Sequence, residues 1–135
     1  MTAPTHGRLM MKLAAIGPYL REKKSAKGCY FFDSLVSCVD AEKAPESREF
    51  WGWWLYLTVT DEQQCFARYG LGRYDQNGAW LAAELPEQAS LDVQANLSAF
   101  ESMLQKAMKE NFSIVLNDAA IADDEHKPNA LLAES

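Results

Sequence analysis

A chain of 135 residues, 48% hydrophobic and 24% charged, is long enough to bury roughly two thirds of its unfolded surface in one domain, and no apolar run approaches the roughly 18 residues of a membrane span. The net charge of −6 divides into +5 over residues 1–28 and −11 over residues 29–135. That balance repels phosphate backbones and argues against independent nucleic-acid binding, while leaving a basic N-terminal region able to meet an acidic protein surface.

The start of the chain, MTAPTHGRLMMKLAAIGPYL, reads as an amphipathic helix and not as a signal peptide, because Lys12 interrupts its apolar stretch. Leu9, Met10, Leu13 and Ile16 recur at helical spacing and Gly17-Pro18 supplies a stop, so a helix is predicted over about residues 8–16. GCYFFDSLVSCVD, residues 28–40, is rich in aromatic and β-branched residues; neither face alternates cleanly, which predicts a strand buried on both sides over much of its length. A polar, proline-containing loop follows. Residues 50–60 and 64–74 are the second and third strands, joined through DEQ in a tight hairpin. Asn77-Gly78 predicts a type I′ turn leading into a fourth strand, AWLAAEL. Beyond Pro86, Ser90 is the expected cap of a long helix whose Val93, Leu97, Phe100, Leu104 and Ala107 or Met108 form one apolar stripe. FSIVLN, residues 112–117, reads as a last short strand. Residues 1–6 and the acidic segment 119–135 are expected to be tails. The expected fold is therefore α+β: one domain over residues 1–118, with a mainly antiparallel meander of four or five strands and two helices packed on it.

Catalysis finds few candidates. His6 and His126 fall in the expected tails, which removes the usual general base and metal ligand from the folded part. YGLGRY lacks the third glycine and the following helix of a dinucleotide fingerprint. The carboxylates of residues 40–49 and 123–125 read as solvated surface. Cys29, Cys38 and Cys65 show no CxxC spacing, which indicates neither a disulfide framework nor a zinc site and fits a reducing cytoplasm. No cofactor is expected.

SREFWGWWLYL, residues 47–57, is the unusual stretch: three of the four tryptophans lie directly behind an arginine and a phenylalanine. Clustered rings beside an arginine describe either a core or the centre of a protein interface. GPYLRE (17–22), YFFDSLVSCV (30–39) and APESREFWGWW (44–54), in this order and separation, resemble the Crl family of sigma factor-binding proteins, with continuity from about Arg8 to Asp118. The resemblance implies binding of the stationary-phase sigma factor, sigma-S, through its domain 2. It also implies promotion of sigma-S assembly with core RNA polymerase, with no reading of DNA sequence by the chain itself. Carried over residue by residue, it implies sigma factor contacts at Tyr19, Arg21, Arg48, Phe50, Trp53 and Trp80. A cytoplasmic monomer is expected.

Two other function classes compete. One is a single-stranded nucleic-acid binder stacking bases on Trp51, Trp53, Trp54 and Tyr56, although strand 50–60 has no lysine or arginine. The other is a small-ligand domain with an aromatic pocket. Arg48, in a polar loop, has no evident packing role and is the first choice for a contact. For Phe50 and Trp53 to share a surface, a bulge at Gly52 is required, since residues three apart point to opposite faces of a regular strand.

Overall fold

The computed structural model describes residues 5–60, 64–116 and 120–121. The chain is α+β. Helix α1 (His6–Ala15) precedes strand β1 (Cys29–Cys38), β2 (Phe50–Val59), β3 (Cys65–Tyr74), β4 (Trp80–Ala82), helix α2 (Glu87–Phe112) and strand β5 (Ala120–Ile121). Strands β1 to β4 form a curled antiparallel meander in chain order, and β5 pairs with β3 in parallel.

The alternation of β2 decides where the core lies. Trp53, Leu55 and Leu57 are buried on one face, with Trp51 and Val59 packed against them. Onto the same face α2 lays Val93, Leu97, Phe100, Leu104 and Met108, and α1 lays Leu9 and Leu13. The predicted helical stripe is the packed one. Strand β1 buries Tyr30, Phe31 and Phe32 in succession, so both of its faces are covered there, as its unalternating composition predicts.

Four expectations about turns and element ends change. The 75–78 turn has positive φ only at Gly78 (82°) and not at Asn77. Asp75 Oδ1 instead accepts from the Asn77 and Ala79 amides, and Gly78 N–H donates to the Asp75 carbonyl, an arrangement that needs one left-handed residue and not two. Strand β4 keeps only Trp80–Ala82 of the predicted seven residues. Helix α2 begins at Glu87 with Pro86 as its N-cap, and Ser90 lies inside the first turn, its amide bonded to the Pro86 carbonyl. Proline with its fixed φ suits a helix start, and this one moves the start ahead of the serine. The expected strand 112–117 is instead the end of α2 and a single parallel bridge from Leu116 to Cys65.

Residues 61–63 lie outside the described residues, as does the segment 119–135 expected as a tail apart from Ala120–Ile121, which form β5. Thr60 N–H still donates to the Gln64 carbonyl at 2.8 Å, so β2 and β3 remain paired up to that hairpin. His6, expected in a tail, is the first residue of α1. Its ring stacks on Tyr30, with Nδ1 3.0 Å from the phenol oxygen. The three cysteines all lie at strand ends. Burial pushes the Cys65 thiol up to about 11, and its Sγ meets the Val115 carbonyl.

Helix α2 closes at Ser113, which is left-handed (φ 57°, ψ 31°); its amide donates to the Lys109 carbonyl and that of Ile114 to Met108. A Cβ in that conformation costs about 1–2 kcal/mol, partly offset in glycine by chain entropy. Ser113→Gly is therefore expected to stabilise the fold by about 0.5–1 kcal/mol, raising the melting temperature by about 2–5 °C in a thermal unfolding scan.

Candidate functional site

The face of the sheet away from the helices carries its own cluster. Phe31, Trp54 and Tyr56 are buried there, with Cys29 and Trp80 packed against them, and among the described residues no helical one takes part. The rings are buried because glycines let them lie flat on the strands. The Trp54 indole sits over Gly70, Trp80 over Gly72, and the edge of Tyr74 reaches Gly52. Each ring then covers the next: Trp80 meets Tyr74 edge-on at 5.1 Å and Trp54 at 6.4 Å, while Phe31 stacks on Trp54 at 6.3 Å. Trp54 Nε1 is buried there without a hydrogen-bond partner among the described residues.

The register corrects the expected bulge. Strand β2 pairs with β3 without interruption from Phe50↔Tyr74 to Val59↔Cys65, and the only shift in its pairing with β1 lies between Leu35 and Ser37 of β1. Phe50 and Trp53 therefore face opposite sides. Gly52 serves close approach: a Cβ on it would run into the Ser34 carbonyl. The extra residue sits in β1, whose edge beyond Asp33 is where a bulge disrupts least pairing.

Around this frame the six candidate residues divide into two groups. Phe50, half-buried, starts a row across the helix-free face with Tyr74 and Trp80, its register partners in β3 and β4. Arg48 stands just before it. Contrary to expectation, Arg48 has an internal role: Nε donates to the Lys43 carbonyl at 2.9 Å and Nη2 to Ala41 at 3.0 Å, tying the polar loop into a fixed shape. Arg21 lies at the outer edge of β1, its Nε paired with Asp33 and its amide donating to the Phe31 carbonyl. Asp33 shares a register row with Trp54, so the ion pair borders the same face. Burial drives the Tyr74 phenol far upward, Asp33 adds to this and Arg21 opposes it; its hydroxyl donates to the Trp53 carbonyl at 3.5 Å.

Tyr19 and Trp53 form the second group, on the helix side. Trp53 is 0% exposed, stacks on Phe100 at 5.0 Å and donates from Nε1 to Asn96 Oδ1 at 2.8 Å. Tyr19 is half-buried over it, 5.6 Å from Trp53 and 5.3 Å edge-on to Phe100. The Asp33 amide donates to the Tyr19 carbonyl, so Tyr19 and Arg21 flank one edge position and turn to opposite faces. Trp53 thus supports Tyr19 from beneath and is closed to a partner's direct touch.

Asp33, Tyr74, Asn96 and Arg73 are missed by sequence reasoning. Arg73 lies over Trp51 at 5.9 Å and 3.7 Å from Glu49, holding the residues on either side of Phe50. Asp33 alone leaves a signal, as the one carboxylate inside an otherwise uncharged strand.

Burial also bears on the single-stranded nucleic-acid reading. Trp53, Trp54 and Tyr56 are closed to solvent, leaving no open ladder of rings on which bases could stack.

Residues 1–126 match the family model described as the sigma factor-binding transcriptional regulator Crl. The chain belongs to the Crl family. Crl relatives include the sigma factor-binding protein Crl of Photobacterium profundum, 49% identical over 117 residues, which cover 87% of each chain. Those of Vibrio vulnificus (strain YJ016) and Vibrio cholerae (strain N16961) are 46% and 47% identical over 111 residues, 82% of this chain and 85% of each relative. Crl is a family of sigma factor-binding transcriptional regulators. Among the described residues, no helix is long and apolar enough to cross a membrane.

Proposed function

We propose that this Crl-family chain binds the stationary-phase sigma factor, sigma-S, through domain 2 of that factor. Binding favours assembly of sigma-S with core RNA polymerase, and the chain acts as a cytoplasmic monomer that does not read DNA sequence. The observation that carries this reading is the sigma factor-binding character of relatives 46–49% identical over more than four fifths of the chain. The geometry supports it: Phe50 and Trp80 offer half-buried rings beside Arg48 and the Arg21–Asp33 pair, an aromatic centre with a polar rim. A protein that assists assembly needs only higher affinity for one conformation of its partner than for others.

The test is co-elution with purified sigma-S, with its isolated domain 2 and with a housekeeping sigma factor. Complexes with the first two and not the third are expected; failure to bind sigma-S refutes the proposal, and failure with domain 2 alone moves the site elsewhere on sigma-S.

Arg48 supplies a sharper prediction. Its Nε and one Nη2 hydrogen hold the loop, which leaves the Nη1 donors for a carboxylate of the partner. Arg48→Ala removes both roles, so sigma-S affinity is expected to fall by about 1.5–3 kcal/mol, the range for a hydrogen bond to a charged group. The loop lies outside the core, and urea unfolding is expected to move by less than about 1 kcal/mol. Arg48→Lys restores little, because an ammonium cannot hold two loop carbonyls and a carboxylate in one plane. Titration calorimetry with sigma-S measures it; unchanged affinity in Arg48→Ala removes the residue from the site.

A further inference from the structure

The chain is acidic overall, with a net charge of −6, yet the helix-free face of its sheet is not. Strand β2 contributes no charged residue to it. Lys24 stands over the Phe31 ring, Nζ 5.4 Å from the centroid. Phe31 pairs in register with Tyr56, and Tyr56 with Arg68, so Lys24 and Arg68 flank one row of the face. Burial and then Cys29 raise the Tyr56 phenol, and the charge of Arg68 pulls it back, as a cation close by must. Lys23 and Lys27 are exposed beside Lys24. Among the described residues of this region only Glu22 opposes these four cations, and Asp33 is paired with Arg21; Asp61 and Glu62 between β2 and β3, and Asp118, Asp123, Asp124 and Glu125 on either side of β5, lie outside the described residues.

These lysines sit on a fixed segment. The Arg21 amide donates to Phe31, the Phe31 amide to Ser25 Oγ, and Ala26 and Cys29 exchange two backbone bonds. The segment is thereby fastened along the outer edge of β1. Phe66, 44% exposed, lies on the neighbouring row through its pairing with Thr58 and gives the patch an apolar element. The patch shares its face with Phe50 and Trp80, about 20 Å along β2 from Phe50 at roughly 3.3 Å per residue.

We propose that residues 22–27 together with Arg68 form a second docking patch, one that receives an acidic surface of the sigma factor. The inference rests on the sigma-binding function proposed above and extends it. Charge decides the kind of partner: a basic patch on an acidic protein attracts carboxylates locally, while the net charge repels the longer polyanion of a nucleic acid. Continuity decides which protein, because the patch lies on the face that carries Arg48, Phe50 and Trp80. Its main effect is on encounter. Exposed charges at the rim of an interface govern the association rate and its salt dependence more than the lifetime of the complex.

The experiment is stopped-flow association with purified sigma-S at two ionic strengths, using the full chain, Lys23→Glu/Lys27→Glu, and Lys106→Glu/Lys109→Glu on the exposed side of α2 as a control with the same net charge. The first double variant is expected to associate on the order of tenfold more slowly at about 50 mM salt, with a nearly unchanged dissociation rate. The deficit should shrink at about 0.5 M, where the screening length is a few ångströms. Melting temperature should not move, since both lysines lie outside the core. Equal slowing by the α2 control reduces the effect to net charge and overturns the patch. An unchanged rate in Lys23→Glu/Lys27→Glu, with normal wild-type binding, overturns the patch and leaves the proposed function standing. A defect seen only with RNA polymerase holoenzyme assigns the acidic surface to the core enzyme and overturns the choice of partner. Absence of wild-type binding to sigma-S removes the function, and this inference with it.

Discussion

Trp53→Ala is expected to lower folding stability by about 3–5 kcal/mol, the range for removing a buried tryptophan. The ring is 0% exposed, stacked on Phe100 and lying under Tyr19, and its Nε1 donates to Asn96 Oδ1 on α2. Truncation opens a cavity between sheet and helix, removes the ring that Tyr19 rests on, and strips the Asn96 oxygen of its donor. The same site separates packing from hydrogen bonding. Trp53→Phe keeps most of the apolar contact but orphans Asn96, which costs about 1–3 kcal/mol for an unsatisfied polar group. Adding Asn96→Leu to Trp53→Phe should then recover part of that loss, a non-additivity measurable by urea unfolding of the four proteins. Sigma-S binding by the folded fraction of Trp53→Ala should weaken only through Tyr19. A wild-type unfolding midpoint in Trp53→Ala would place the ring outside the core and contradict this account.

Trp53 also marks the limit of what the sequence discloses. Alternation along FWGWWLYLTV identifies Trp51, Trp53, Leu55, Leu57 and Val59 as the core side, and the packed cluster agrees. The stripe of α2 is equally legible, because its spacing alone selects a face. The site is harder, since sequence position does not reveal which of two faces a partner meets. A bulge at Gly52 would unite Phe50 with Trp53, but parity is set by pairing on both sides of β2, and the extra residue belongs to β1. Arg48 looks idle in sequence because its acceptors are backbone carbonyls of Ala41 and Lys43, which carry no side-chain signature. Tyr74 and Asp33 join this face from the strands on either side of β2, opposite Phe50 and Trp54, which only the register reveals. The third strand partner of β3, β5, is parallel and two residues long, too short for any periodicity.

Gly52→Ala should be the most damaging glycine-to-alanine change in this chain. Strand propensity alone would rate the change as mildly favourable, since alanine stiffens the unfolded chain. The geometry overrides it. A Cβ at Gly52 meets the Ser34 carbonyl, a backbone group that cannot rotate away without parting β1 from β2, and it crowds Tyr74 Cε2 at 3.3 Å. Overpacking typically costs about 1–3 kcal/mol, and occasionally more; the obstruction here is main chain, so about 3 kcal/mol or above is expected. Tyr74 in turn holds Trp80 at 5.1 Å, so the variant should also disturb the aromatic row that starts at Phe50. Gly78→Ala provides the contrast. Nothing lies within 4 Å of its Cβ, but its φ is +82°, and about 1–2 kcal/mol of backbone strain is all it should lose. Urea unfolding of both variants, with sigma-S affinity measured on the folded protein, distinguishes them. Gly78→Ala should bind normally once folded, whereas Gly52→Ala should show a binding defect beyond its loss of stability. A Gly52→Ala protein as stable as wild type would mean that β1 and β2 do not approach this closely in solution, and the continuous register that sets Phe50 and Trp53 on opposite faces would fall with it.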